Sequence, residues 1–231
     1  MNNKLQKIIT IDGPAGAGKS TLARELARCL NWSYLDTGAL YRAIAHTALQ
    51  RNISPEDRAA VEEMARGLSL TVEPRPDGTA IMVDGRDVTS ELRTPEISRI
   101  VSAISAWPGV RETLLSTQRT LGAKGEVVAE GRDMGTVVFP NAGLKFFLYA
   151  APESRAKRRH LEFESCGTEV PLGTVLSDII ERDKADISRE VSPLKAAPDA
   201  VTIDSTNLNV DSVLKVMVNA FRNKFFAKAA E

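Results

Sequence analysis

Residues 9–21 read ITIDGPAGAGKST: an apolar run, a glycine-rich turn, then residues suited to open a helix. Gly13, Gly18, Lys19 and Ser20 match G-x-x-x-x-G-K-[ST], with a predicted strand before and a predicted helix after. Such a loop wraps a phosphate with inward-turned backbone N–H groups at the positive end of the helix. The whole turn (Gly13, Pro14, Ala15, Gly16, Ala17, Gly18) with Lys19, Ser20 and Thr21 is therefore the expected ATP-binding element. Lys19 is expected to reach the β- and γ-phosphates as a catalytic cation, and the Ser20 hydroxyl to ligate Mg²⁺. A glycine-rich turn serving only strand-to-helix geometry is the competing explanation. The loop does not say what receives the phosphoryl group.

The strand-then-helix rhythm recurs outward from the loop. Apolar, β-rich runs lie at 7–12, 32–36, 126–130, 144–150 and 200–204, with helical patterns over 20–30 and 39–50. Short runs apolar on both faces, alternating with helices, predict a parallel sheet between helical layers. The expected fold is α/β, a P-loop three-layer sandwich with a five-stranded parallel sheet, in one domain over residues 1–231. Two stretches break the rhythm. An insert at about 54–106 holds a helix with Ser54 as N-cap and an antiparallel hairpin, SLTVEP and TAIMVDG, across Pro76, Asp77 and Gly78. A further helix opens at Thr94-Pro95, with Ile97, Ile100, Val101 and Ile104 on one face. The second break, about 152–193, is charged and helical, as expected of a lid over a bound acceptor. A last helix over 210–225 offers Val213, Val216, Met217 and Phe221 as core.

Composition narrows the class. The 231 residues are 43% apolar and 26% charged, and 30 basic residues balance 30 acidic ones. Zero net charge argues against a protein that lives on nucleic acid. Cys29 and Cys166 lack metal-type spacing and read as reduced thiols. The N-terminal residues carry no signal-peptide apolar region and no stretch matches a membrane span. The expectation is a cytoplasmic monomer with no membrane or nucleic-acid partner. An Asn-Lys-x-Asp base-reading element, which a GTPase switch needs, does not occur.

The acceptor side is written in two stretches. In LDTGALYRA at 35–43, Thr37 can cap a helix whose free N–H groups receive an anion, and Arg42 on its first turns can fork onto a phosphate. A capped helix with a solvated arginine explains the same residues. In AEGRDMGTVVFP at 129–140, Arg132 and Asp133 sit between glycines just past a strand's carboxyl end, where open α/β sheets bind ligands. A surface ion pair in a tight turn is the alternative. A phosphate acceptor explains Arg42 and Arg132 together; a small alcohol such as shikimate does not. UMP as acceptor, and a regulatory nucleotide-binding module without transfer, remain the other readings.

These motifs, with DGRDVTSELRTPEIS, VRETLLSTQR, RAKRR, ERDKADISREVSPL and IDSTNL, resemble the bacterial cytidylate kinases over nearly the whole chain. The resemblance implies transfer of the γ-phosphoryl of ATP, with Mg²⁺, to CMP or dCMP. It implies that Thr37, Tyr41, Arg42 and Arg132 hold the acceptor phosphate, and that Ser102, Arg111 and Asp133 face the pyrimidine. Arg182, Asp186 and Arg189 match the lid pattern R-D-x-x-D-x-x-R, reaching sugar, base and transferring phosphate; Arg132, Arg182 and Arg189 join Lys19 as catalytic cations. Arg155, Arg158 and Arg159 fall on the ATP-facing lid, and Arg158 and Arg159 are expected to bind ATP. Two positions depart from the pattern: Ala185 stands where several members have a lid arginine, and Glu130 where many have Asp. The acceptor oxygen is already anionic, so no general base is required, and His46, His160, Trp32 and Trp107 are read as structural.

Overall fold

The computed structural model describes residues 7–75, 78–165 and 167–226. Its central strand β1 (Ile8–Asp12) is buried along its whole length. A strand with no solvent face needs neighbours on both edges and cover on both sides, and β1 has them. It pairs in parallel with β6 (Val127–Gly131) and β7 (Leu144–Tyr149). With β2 (Ser33–Asp36) and β8 (Val201–Asp204) the order is β2-β6-β1-β7-β8, all parallel. All five expected strands of the α/β P-loop sandwich are present.

Helices cover both faces. On one side α1 (Lys19–Leu30) and α8 (Val210–Phe226) pack Leu22, Leu26, Val213, Met217 and Phe221 against Ile9, Ile11, Phe146 and Leu148. Trp32 sets its ring edge-on to Phe221 at 5.5 Å. Val216, expected in the core, is instead 43% exposed. At about 100° per residue it falls at the edge of the stripe that Val213, Met217 and Phe221 define, about 100° from its centre. On the other side Ile8, Leu35, Val127 and Ala129 pack against Met134, Val138, Phe139 and Leu115, the last from α5 (Pro108–Gly122). A further core, around Leu40, Ile44, Val61, Val101 and Leu114, is enclosed by α2 (Thr37–Gln50), α3 (Arg58–Gly67), α4 (Pro95–Ile104) and α5. The segment forming α5 carries a motif but was not read as an element.

The insert folds largely as its pattern predicts. Strands β3 (Leu70–Arg75) and β4 (Gly78–Val83) form the antiparallel hairpin, and a short β5 (Arg86–Asp87), unforeseen, extends it to three strands. Pro76 and Asp77 of the hairpin turn, and Cys166, lie outside the described residues; Cys29 is an exposed free thiol. Thr94 caps α4 as expected, its hydroxyl accepting from Ile97 N at 3.2 Å. The first insert helix, however, is capped by Asp57, which accepts from Ala60 N at 3.0 Å, and not by Ser54. Asp and Ser are nearly equal as caps, so downstream geometry decides between them. Helices α6 (Pro152–Ser165) and α7 (Leu172–Ser188) pair over the sheet's carboxyl edge through Ala156, Val175 and Ile179. Among the described residues no helix is long and apolar enough to cross a membrane.

Candidate active site

The loop between β1 and α1 is shaped by close approach. At Gly13 φ is +151°, and a Cβ there would lie 2.1 Å from the Leu148 carbonyl oxygen. Only glycine fits that contact. Gly18 is the N-cap of α1 and provides no side-chain cap, and the first turn holds no acidic residue, so its N–H groups are left for an anion. Lys19 is buried and folds back to donate to the Pro14 carbonyl at 2.7 Å. Burial, then the Arg132 charge and further Arg182, push its ammonium down from 10.5 to about 7. Two guanidiniums from distant segments therefore bear on the same point as Lys19.

Carboxylates lie beneath these cations. Glu130, at the end of β6, accepts from the Tyr34 hydroxyl at 2.7 Å and has the Ser20 side chain beside it. Burial, and then the Asp36 charge, raise its carboxyl above the usual range. Asp36 is the true N-cap of α2, accepting from Ala39 N at 2.9 Å, and it pairs with Arg42 at 2.8 Å and Arg93 at 3.5 Å. Burial opposes ionisation of Asp36, but those two arginines hold its carboxyl below the usual range. Thr37, expected as the cap, opens the helix one residue later and donates its hydroxyl to the Glu130 carbonyl at 2.6 Å. Asp12, at the end of β1, accepts from Met134 N at 2.8 Å and Gly135 N at 2.7 Å within a π-helical turn, Met134–Val138. Burial, only partly offset by those bonds, lifts its carboxyl to about 6. A hydroxyl and a buried, electron-rich carboxylate at the foot of a phosphate loop are hard oxygen donors. They fit Mg²⁺, which takes one or two such ligands beside phosphates and water.

The remaining cationic residues meet the same cleft. Arg132 donates to Asp186 at 2.8 Å, and Arg189 lies 3.6 Å from the other Asp186 oxygen. Burial and the Arg132 charge lower the Arg182 guanidinium to about 10, with Arg42 and Arg159 adding to the repulsion. Arg111 forms a buried ion pair with Asp133, and its guanidinium carbon sits 5.5 Å from the Tyr41 ring centroid. Burial drives the Tyr41 phenol up to about 12. Arg111 also donates to the Ser105 carbonyl at 3.0 Å, bringing the end of α4, with half-buried Ser102, beside that pair. Among the described residues, Arg42 Nε, Arg111 Nε, Arg182 Nε and Arg189 Nη2 are buried with no protein acceptor. Buried N–H donors without partners are costly. Four on arginines around one cleft mark it as built for an anion.

The three arginines of α6 differ from one another in their surroundings. Arg155, expected on the ATP-facing lid, is 1% exposed and its guanidinium is engaged by protein acceptors. Arg158 donates to the Ser205 carbonyl at 2.5 Å and lies 3.5 Å from the Ala17 carbonyl, at the rim of the loop. Arg159 stacks on Phe163 at 4.8 Å, pairs with Glu162 at 3.1 Å and reaches Ser98 of α4 at 3.4 Å. His46, read as structural, is buried against Glu91 at 3.0 Å. Sequence reasoning missed Asp12, Tyr34, Asp36 and Arg93, and it assigned no role to Asp183, the first Asp of the lid pattern. Asp36 was within reach, because Asp three residues before Ala39 is a cap signal as strong as Thr37. Nothing local points to the partners of Tyr34 and Asp183, which lie 96 and 28 residues away.

A family model described as cytidylate kinase matches residues 9–223. A cytidylate kinase of Carboxydothermus hydrogenoformans is 45% identical over 216 residues, covering 94% of this chain and 97% of its own. A cytidylate kinase of Desulfitobacterium hafniense is 46% identical over 224 residues, covering 97% and 95%. Among solved structures, an uncharacterized protein from Eubacterium ventriosum superposes with TM-score 0.50 at 16% identity, covering 94% of this chain and 99% of its own.

Proposed function

The chain belongs to the cytidylate kinase family, and from that premise we propose that it transfers the γ-phosphoryl group of ATP to CMP or dCMP, yielding ADP and CDP or dCDP. The observation that carries this reading is the set of buried arginine donors lacking protein acceptors among the described residues, with Arg182 also bearing on Lys19. An alcohol acceptor would leave most of them unpaired; a second phosphate satisfies them.

In this reading the loop from Gly13 to Thr21 cradles the triphosphate, with Arg158 and Arg159 beside the nucleotide. Ser20, with Glu130 below it, holds Mg²⁺, which when bound neutralises charge on the polyphosphate. Thr37, Tyr41, Arg42 and Arg132 hold the acceptor phosphate. One of its oxygens attacks the γ-phosphorus as the bond to the ADP oxygen breaks. Lys19, Arg132, Arg182 and Arg189 meet the charge that spreads over the transferring group. Asp186 holds Arg132 and Arg189, and Asp36 holds Arg42, until the phosphates arrive. Residues 54–106 act as the monophosphate-binding insert and 152–193 as the lid.

Base choice falls to Asp133 and Arg111, with Ser102 nearby. A carboxylate accepts from the cytosine amino group but opposes the uracil carbonyl, and a guanidinium donates to cytosine N3 and O2. The test is ADP release with a panel of nucleoside monophosphates, for the wild type and Asp133→Asn. The isosteric amide keeps the packing against Arg111. It should narrow the CMP-to-UMP ratio of kcat/KM by about 1–3 kcal/mol, roughly 5- to 150-fold. Turnover of AMP or GMP without CMP would overturn the substrate, and an equal loss on CMP and UMP would overturn the role of Asp133.

A further inference from the structure

Three segments that must act together meet at one buried side chain. Arg155 Nε donates to the Ala150 carbonyl at 2.7 Å, just past the end of β7. Its Nη1 donates both to the Ala15 carbonyl of the phosphate loop at 3.0 Å and to Asp183 Oδ1 of α7 at 3.1 Å. Its Nη2 donates to Asp183 Oδ2 at 2.5 Å, completing a bidentate pair. The backbone is as close as the side chain: a Cβ on Gly16 would lie 3.2 Å from both Arg155 Cβ and its carbonyl oxygen. The crown of the loop therefore rests on Arg155, and Arg155 grips α7.

Asp183 directly follows Arg182 and lies one helical turn before Asp186, which binds Arg132 and faces Arg189. The strut between loop and α7 thus ends among the residues assigned to the acceptor and the transferring phosphate. A guanidinium–carboxylate fork fixes both distance and plane, which a single hydrogen bond does not. Ordering the loop around a triphosphate holds Ala15 against Arg155, and through Asp183 it holds α7. Whichever ligand binds first bears the ordering cost of this shared unit, and the second meets it already ordered.

We propose that Arg155 and Asp183 are positioning residues that couple the two substrate sites, so that occupancy of the phosphate loop tightens binding of the monophosphate. The inference rests on the ATP and CMP reading above. The measurement is CMP affinity by calorimetry, with and without Mg²⁺ and a nonhydrolysable ATP analogue. In the wild type the analogue should tighten CMP binding roughly tenfold, within the roughly 5–150-fold range of such couplings, and CMP should tighten the analogue equally. Asp183→Asn should bring that factor close to one while CMP affinity without the analogue changes less than about twofold. Arg155→Lys keeps the charge but loses the fork, and it should give the same loss if Asp183→Asn fails to fold. The double variant should be no worse than either single one, as for a pair acting as a unit. A scaffolding role alone would weaken both ligands without changing the factor. A wild-type factor of one, or one unaltered in the variants, overturns the coupling; a wild type that binds no CMP overturns the substrate reading instead.

Discussion

Replacing Lys19 by methionine should stabilise the nucleotide-free protein while abolishing turnover. The side chain is 5% exposed and lies where Arg132 and Arg182 also direct positive charge. Its ammonium falls from 10.5 to about 7, chiefly through burial. Each tenfold in a protonation equilibrium is worth about 1.4 kcal/mol, so holding this group costs the folded protein about 4 kcal/mol at pH 7. Methionine fills similar space without charge but loses the bond to the Pro14 carbonyl, which offsets about 2 kcal/mol. The net gain is about 2 kcal/mol, or about 4–8 °C in Tm for a chain of this size. The sign of the pH dependence follows from the depressed value. Between pH 7 and 10.5 the unfolded chain binds the additional proton, so wild-type stability rises with pH and the advantage of Lys19→Met shrinks. Denaturant titrations of both proteins from pH 6.5 to 10, without nucleotide, read this directly. A variant no more stable than the wild type at pH 7, or a gain independent of pH, would refute a desolvated, repelled lysine. Retained turnover would refute its catalytic role.

The same depressed value predicts proton uptake when ATP binds near pH 8, because the triphosphate returns Lys19 toward its ordinary range. Calorimetry in buffers of different ionisation heat should show it in the wild type and not in Lys19→Met. Gly13→Ala should lose more than about 4 kcal/mol of stability, since its Cβ would overlap the Leu148 carbonyl at a φ of +151°; a variant within about 1 kcal/mol of the wild type in denaturant would contradict that packing.

What could be read without the structure was whatever repeats at short range. Five mainly apolar runs with interleaved helical patterns contain the sheet, because a strand buried on both faces is rich in apolar residues, as Ile8, Ile9 and Ile11 of the fully buried β1 are. The phosphate loop is contiguous, so Gly13, Gly18, Lys19 and Ser20 announce themselves by spacing alone. Arg42, Arg132 and Asp133 were visible as polar residues at strand and helix ends. Their partners were not. Asp183 stands in the lid pattern, but nothing local shows that it meets Arg155 on α6, or that Tyr34 meets Glu130 across two strands. Nor could local pattern choose Asp36 over Thr37 and Asp57 over Ser54 as caps, since each pair offers similar chemistry within a few residues. Hydrophobic periodicity and turn chemistry act over a few residues, and the chain records them directly. Charge pairing and desolvation act through space, and only the packed molecule decides that Arg155 faces inward to the loop while Arg182 keeps a buried donor without a protein acceptor.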